Sequence, residues 1–163
     1  MHEAHVLAKV DTEVLFLKLK AFIQANIAGL ATAINTEKND SLLLVAPHNN
    51  AYVDLSLDGL VVNYDPFVFI YLDATPSFIA GPNVEKNVTF EVCIFKSRTG
   101  KPDEHILGLR YMRLMEDLGK LAWDKTLKGM RYEIETLTPV DIQLANQTQW
   151  HRVYGVALTV SLP

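Results

Sequence analysis

The stretch Trp150-His151-Arg152-Val153-Tyr154-Gly155-Val156-Ala157-Leu158-Thr159-Val160-Ser161-Leu162 decides the fold class. Within it Tyr154, Val156, Leu158, Val160 and Leu162 alternate with Gly155, Ala157, Thr159 and Ser161, the two-residue period of a half-buried strand. A strand this long needs partners, and the preceding sequence supplies them. Arg131 to Leu137 alternates well enough for a strand, Pro139 interrupts it, and Ile142 to Leu144 continues the same edge after a bend. Asn87 to Phe95 places Val88, Phe90, Val92 and Ile94 on one face. Phe67 to Leu72, entered through Pro66, is apolar on both alternating faces, which predicts a strand covered on each side and central in its sheet.

Towards the N-terminus, Tyr52 to Leu57 and Leu60 to Tyr64 flank Asp58-Gly59, a pair that readily takes the positive backbone angles of a two-residue hairpin turn. Leu42 to Val45 is closed by Pro47, Asn49 and Asn50 and reads either as an edge strand or as a packed loop. Asp73 to Lys86 contains Pro76, Gly81 and Pro82 and predicts an irregular turn; Ser97 to Lys101 predicts a loop.

Two segments carry the helical period instead. Asp11 and Thr12 offer oxygens to the free amides of a helix start, and Glu13 suits its positive end. Phe16, Leu19, Ile23, Ile27, Leu30 and Ile34 then recur at spacings of three and four, with Lys18, Lys20, Gln24 and Asn26 mostly elsewhere around the cylinder. The polar run Asn35 to Ser41 predicts a surface loop. In the second segment Pro102 suits the first helical position, followed by Asp103 and Glu104. Leu107, Tyr111, Leu114, Leu118 and Leu121 form its apolar stripe, leaving Arg110, Arg113, Glu116, Asp117 and Lys120 on the remaining surface. No internal repeat or dividing linker interrupts the pattern. The prediction is one α+β domain over residues 1–163, a mixed or antiparallel sheet packed by two amphipathic helices, with residues 1–10 a flexible arm.

At 163 residues and 49% hydrophobic content, the chain can bury about two-thirds of its unfolded surface. A formal charge of -4, from 15 basic and 19 acidic residues without a dense Lys/Arg stripe, argues against sequence-specific nucleic-acid binding and against anionic membranes. The single Cys93 cannot form an intrachain disulfide, which fits a reducing compartment. Met1 to Val10 lacks the cationic start and apolar run of an export signal. Charged and polar residues break Val14 to Ile34 and Leu60 to Leu72, so neither is expected to span a bilayer.

Chemistry-bearing residues are few and scattered. His2 and His5 have a spacing that can share a metal on a helix, but at the terminus they read as a frayed end. His48 in a turn-rich loop and His105 in a first helical turn read as surface residues, since no spacing ties them to a nucleophile or carboxylate pair. Cys93 lies among Val92, Ile94 and Phe95, where a thiolate is disfavoured. Asp54, Asp58, Asp65 and Asp73 lack the dense alternation of a calcium loop and read as turn and cap residues. No phosphate loop, nucleophile elbow or zinc spacing occurs. Trp123, Trp150, Tyr154 and the row Phe67-Phe69-Tyr71 read as core or interface packing. No catalytic, cofactor-binding or metal-ligating residue is assigned.

The order of elements carries a resemblance. An N-terminal helix, a hairpin region, the strand Pro66-Phe67-Val68-Phe69-Ile70-Tyr71, its partner Val88-Thr89-Phe90-Glu91-Val92, the helix Ile106 to Lys125 and the closing strand Val153 to Leu162 resemble the tail terminator proteins of long-tailed bacteriophages and the related cap proteins of contractile injection systems. The resemblance covers nearly the whole domain and rests on element order, not on a motif. It implies a non-enzymatic, tail-terminator-like subunit of a hexameric ring. That ring sits on the head-proximal end of the tail tube, stops its growth and presents a docking face to the head or neck. The implied partners are copies of the chain itself, the tail tube and sheath proteins, and a head-completion or connector protein. The implied location is the tail or neck of the virion, after assembly in the host cytoplasm. The loops Asn35 to Asn50 and Asp73 to Lys86, and the second helix with its flanking strands, are the expected contact surfaces. The polar 35–41 segment and the apolar Leu42 to Val45 insertion depart from the family pattern. A rival of another class is a small-molecule-binding domain or enzyme of the host cytoplasm, with the aromatic strands lining a pocket and His48 or His105 acting in it.

Overall fold

A computed structural model describes residues 12–53, 64–72, 77–79, 85–126, 131–144 and 148–162. Helix α1 (Thr12–Lys38) is followed by strands β1 (Tyr52–Val53), β2 (Phe67–Leu72), β3 (Ser77–Ile79) and β4 (Glu85–Ser97). Helix α2 (Glu104–Thr126) and strands β5 (Arg131–Thr136), β6 (Val140–Gln143) and β7 (Trp150–Leu162) follow among the described residues. The sheet runs β1-β2-β4-β7-β5, with β3 paired to β4 and β6 to β7. Its pairings are antiparallel apart from the short parallel contact of β1 with β2. The architecture is α+β, as the alternating periods of the sequence predict.

The closing strand does what its alternation requires. Tyr154, Val156, Leu158 and Val160 face both helices in one core with Val88, Phe90, Val92 and Ile94 of β4 and Val68 and Ile70 of β2. From α1 that core receives Leu15, Leu19, Ile23, Ile27, Ala31 and Ile34, and from α2 Tyr111, Leu114, Met115 and Leu118. Phe16 and Leu30, placed in the stripe by sequence, lie at its margin and are partly buried. By length and composition α1 would also suit a bilayer, contrary to the expectation from its charges, but its apolar stripe is occupied by the sheet.

The opposite face carries a smaller core at one end, built from Ala51, Phe67, Phe69, Cys93, Phe95 and Leu144. Phe67 stacks on Phe95 with ring centroids 4.7 Å apart. These two cores explain why β2 is apolar on both faces without being central. It lies between β1 and β4, one place from the middle strand β4, and its outer neighbour β1 is only two residues long. Burial on both faces needs two cores, not a central position.

Other expectations are corrected by longer-range contacts. Asn35 to Lys38 belong to α1, which ends where Asn39 adopts a positive φ of 49° and donates its amide to the Asn35 carbonyl. Helix α2 begins at Glu104, two residues after Pro102, and Arg110 is buried instead of lying on its outer surface. The irregular stretch Asp73 to Lys86 contains β3, which pairs with Glu85 to Asn87. β5 and β6 pair with successive halves of the same edge of β7, as the bend at Pro139 predicts. The Asp58-Gly59 turn and the arm 1–10 lie outside the described residues, while Tyr64 is irregular.

Candidate interaction surface

Leu42 to Val45 is an extended segment held by side chains. The Asn35 amide group receives the Leu44 amide hydrogen (2.8 Å) and donates to the Leu44 carbonyl (3.0 Å), the two bonds a neighbouring strand would supply. The Tyr111 hydroxyl donates to the Val45 carbonyl (3.2 Å) and receives the Val45 amide hydrogen (3.3 Å). Arg110 donates to the Leu42 carbonyl and to both carboxylate oxygens of Asp40. Its guanidinium holds the Asp40 carboxyl down at about 2, and burial pushes the Tyr111 hydroxyl up to about 12. The segment is therefore a packed loop with Leu44 inside. Leu43 and Val45 are left 55% and 52% exposed on a braced backbone.

Helix α2 is fixed to the sheet at its start by a second network. Glu104 receives hydrogen bonds from the Thr99 hydroxyl (2.7 Å), the Gly100 amide (3.0 Å), the Thr99 amide and the Arg98 side chain. Partial burial opposes its charge, but these donors outweigh it and bring the Glu104 carboxyl to about 2. Arg98 also pairs with Asp141, which accepts two bonds from Arg152 at 2.8 and 3.1 Å. β6, β7 and the loop after β4 are thereby tied to the helix. Ile106 and Leu109 remain exposed in the first two turns of α2.

The sheet face away from the helices is divided. Register places Glu133 beside Thr159 and Glu135 beside Ala157, with Thr89 and Glu91 on the next strand. These residues line an open trough of about 320 Å³. Thr89 and Thr159 share a hydrogen bond of 2.9 Å, and burial pushes the Glu91 carboxyl up. Near the start of α2, Ser97, Thr99, Glu104, Gly108 and Tyr154 line a cavity of about 20 Å³, room for a single water.

The residues weighed for chemistry are not brought together. His48 stacks on Tyr64 (5.2 Å) and its Nδ1 receives the Asn50 amide hydrogen, while His105 is exposed on α2. Asp65 receives hydrogen bonds from the Ser97 amide and Lys96 Nζ, each at 3.0 Å, so it ties the bend before β2 to the end of β4 instead of serving a local turn or cap. Cys93 is buried under Gly155, Tyr154 stacks on Tyr111, and Trp150 is half exposed. Phe67, Phe69 and Tyr71 pack in or against the smaller core. Among the described residues no group of three or more His, Cys, Asp or Glu could hold a metal ion. His2, His5, Asp54, Asp58, Asp73 and the side chain of Trp123 lie outside the described residues.

Sequence reasoning placed Arg110 on the helix surface and passed over His151; both are buried. The signal for His151 was present, since it belongs to the same alternating row as Val153, Gly155 and Ala157. No protein-family model and no curated protein matches the chain.

Proposed function

We propose that this chain is a structural tail terminator or neck subunit, building a ring on the head-proximal end of a phage tail tube, stopping tube growth and offering a docking face to the head or neck. The observation that carries the reading is the contrast at Leu42 to Val45. Side chains from both helices hold this segment, yet the outcome is the display of Leu43 and Val45 to solvent. Ordered, exposed aliphatic side chains on a braced support suit a protein contact better than a catalytic one. The described cavities are shallow or small: the one beside Tyr154 has room for a single water, and both the trough and a cleft of about 290 Å³ beside Arg98, Lys101, His105 and Arg152 are open to solvent.

Native mass spectrometry and negative-stain microscopy, alone and with a polymerising tail tube protein, test the reading. The expected result is a ring of six copies, formed alone or on the tube end, and tubes of limited length. A chain that stays monomeric, binds no tube end and leaves tube length unchanged overturns it.

A further inference from the structure

The smaller core closes on a titratable residue. His151 is 5% exposed, with its ring edge-on to Phe67 at 5.7 Å and its Nε2 3.4 Å from the Ser97 hydroxyl. Among the described residues its Nδ1 is buried without a well-formed hydrogen bond; the Gln149 backbone is a weaker acceptor that does not satisfy it. An imidazolium carries two N–H donors and needs two acceptors. The carboxylate facing this end of the sheet, Asp65, is already engaged by the Ser97 amide and the Lys96 ammonium. Turning it towards the ring would break those bonds.

Among the described residues, the groups around His151 come from β4, β2, β6 and the turn before β2. β4 contributes Ser97 and Lys96, the turn before β2 contributes Asp65, β2 contributes Phe67, and β6 places Ile142 opposite in register. Burial is the dominant influence and lowers the basicity of the ring. Asp65 and the Gln149 backbone favour a proton, and Lys96 opposes it.

We propose that His151 is a proton-sensitive latch: the neutral imidazole closes the smaller core, and its protonation releases β6 and the segment ending at Ala51 while the helix-covered core stays closed. Ala51 and Leu144 belong to this smaller core, and the Ala51 carbonyl receives the Val68 amide hydrogen, so loss of its packing reaches both flanks. A histidine kept neutral by the fold contributes stability that is complete above its unfolded value of ~6.5 and is lost as pH falls below it. The inference does not depend on the ring reading.

Hydrogen exchange between pH 7.5 and 5.5, corrected for intrinsic rates, tests it on the unaltered chain, His151→Phe and His48→Asn. Protection of Ile142, Gln143, Leu144 and Val68 should fall by up to about tenfold per pH unit below ~6.5, with Val156 and Leu158 unchanged. His151→Phe should abolish the step and His48→Asn should keep it. Flat protection in the unaltered chain, or the same step in His151→Phe, overturns the proposal. If His151→Phe fails to fold, an NMR titration of the unaltered ring decides. A midpoint below ~6.5 shared with the Ile142 amide supports the latch, and one at or above ~6.5 overturns it.

Discussion

The two faces of the sheet are held by different means. On the helix side, alternate residues of β2, β4 and β7 meet two helices in an aliphatic core broken by few polar atoms, chiefly the Tyr111 and Tyr154 hydroxyls. On the other side, among the described residues, one end is closed by aromatic rings, Cys93, Leu144 and the His151 ring, and the other end is a trough with Glu91, Glu133 and Glu135. The first face should tolerate no charge and respond little to pH near neutrality; the second should be sensitive to single atoms and protons.

The sharpest break of that contrast is Leu118→Asp. Leu118 is 1% exposed within the helix-covered core, so a carboxylate there has no partner. We expect a loss of roughly 3 to 5 kcal/mol and collapse of the fold, read by thermal or urea melting. Gly155→Ala probes the other face. An added Cβ would lie 2.8 Å from Cys93 Sγ and 2.9 Å from the Val92 backbone carbonyl. The sulfur can shift but the backbone cannot, so a cost of about 1 to 3 kcal/mol is expected. Cys93→Ala in the same chain should recover only part of it, since the carbonyl contact persists.

How far each face was legible in the sequence follows from the range of its contacts. The helix side was read well because the periods of Leu114 and Leu118 in α2 and of Val156 to Val160 in β7 are local properties. Arg110 was misplaced because the partner that allows its burial, Asp40, lies in the loop after the other helix. Asn35 looked like loop composition because its amide finds the Leu44 backbone only in the folded chain. β2 was assigned a central place because double-sided burial does not reveal which residues cover each side. The candidate contact surface was legible only as two loops and the second helix with its flanking strands, since exposure of Leu43 depends on what braces Leu44.

Acid sharpens the comparison from the helix side. Glu104 anchors α2 through four donors, and its carboxyl is held near about 2 against an ordinary value of 4.5. A depressed carboxyl contributes stability that is present above 4.5 and lost as pH falls towards the folded value. Glu104→Gln should lower the melting temperature at pH 7 and flatten its decline between about 4.5 and 2. An unchanged acid profile in that variant would mean the network at the start of α2 contributes nothing to stability.

The smallest effect on the fold should accompany a large effect on assembly. Leu43 is 55% exposed, and the bonds bracing its neighbours come from Asn35, Arg110 and Tyr111, none of which uses the Leu43 side chain. Leu43→Ser should therefore move stability by no more than about 0.5 kcal/mol. If the exposed pair Leu43 and Val45 is a contact surface, the same substitution removes an aliphatic anchor and weakens ring formation or tube-end binding in native mass spectrometry. Glu133→Gln on the trough, also exposed but outside this segment, is the control and should leave assembly intact. Equal assembly by the unaltered chain and Leu43→Ser would move the contact surface away from the braced loop, to Ile106 and Leu109 on α2.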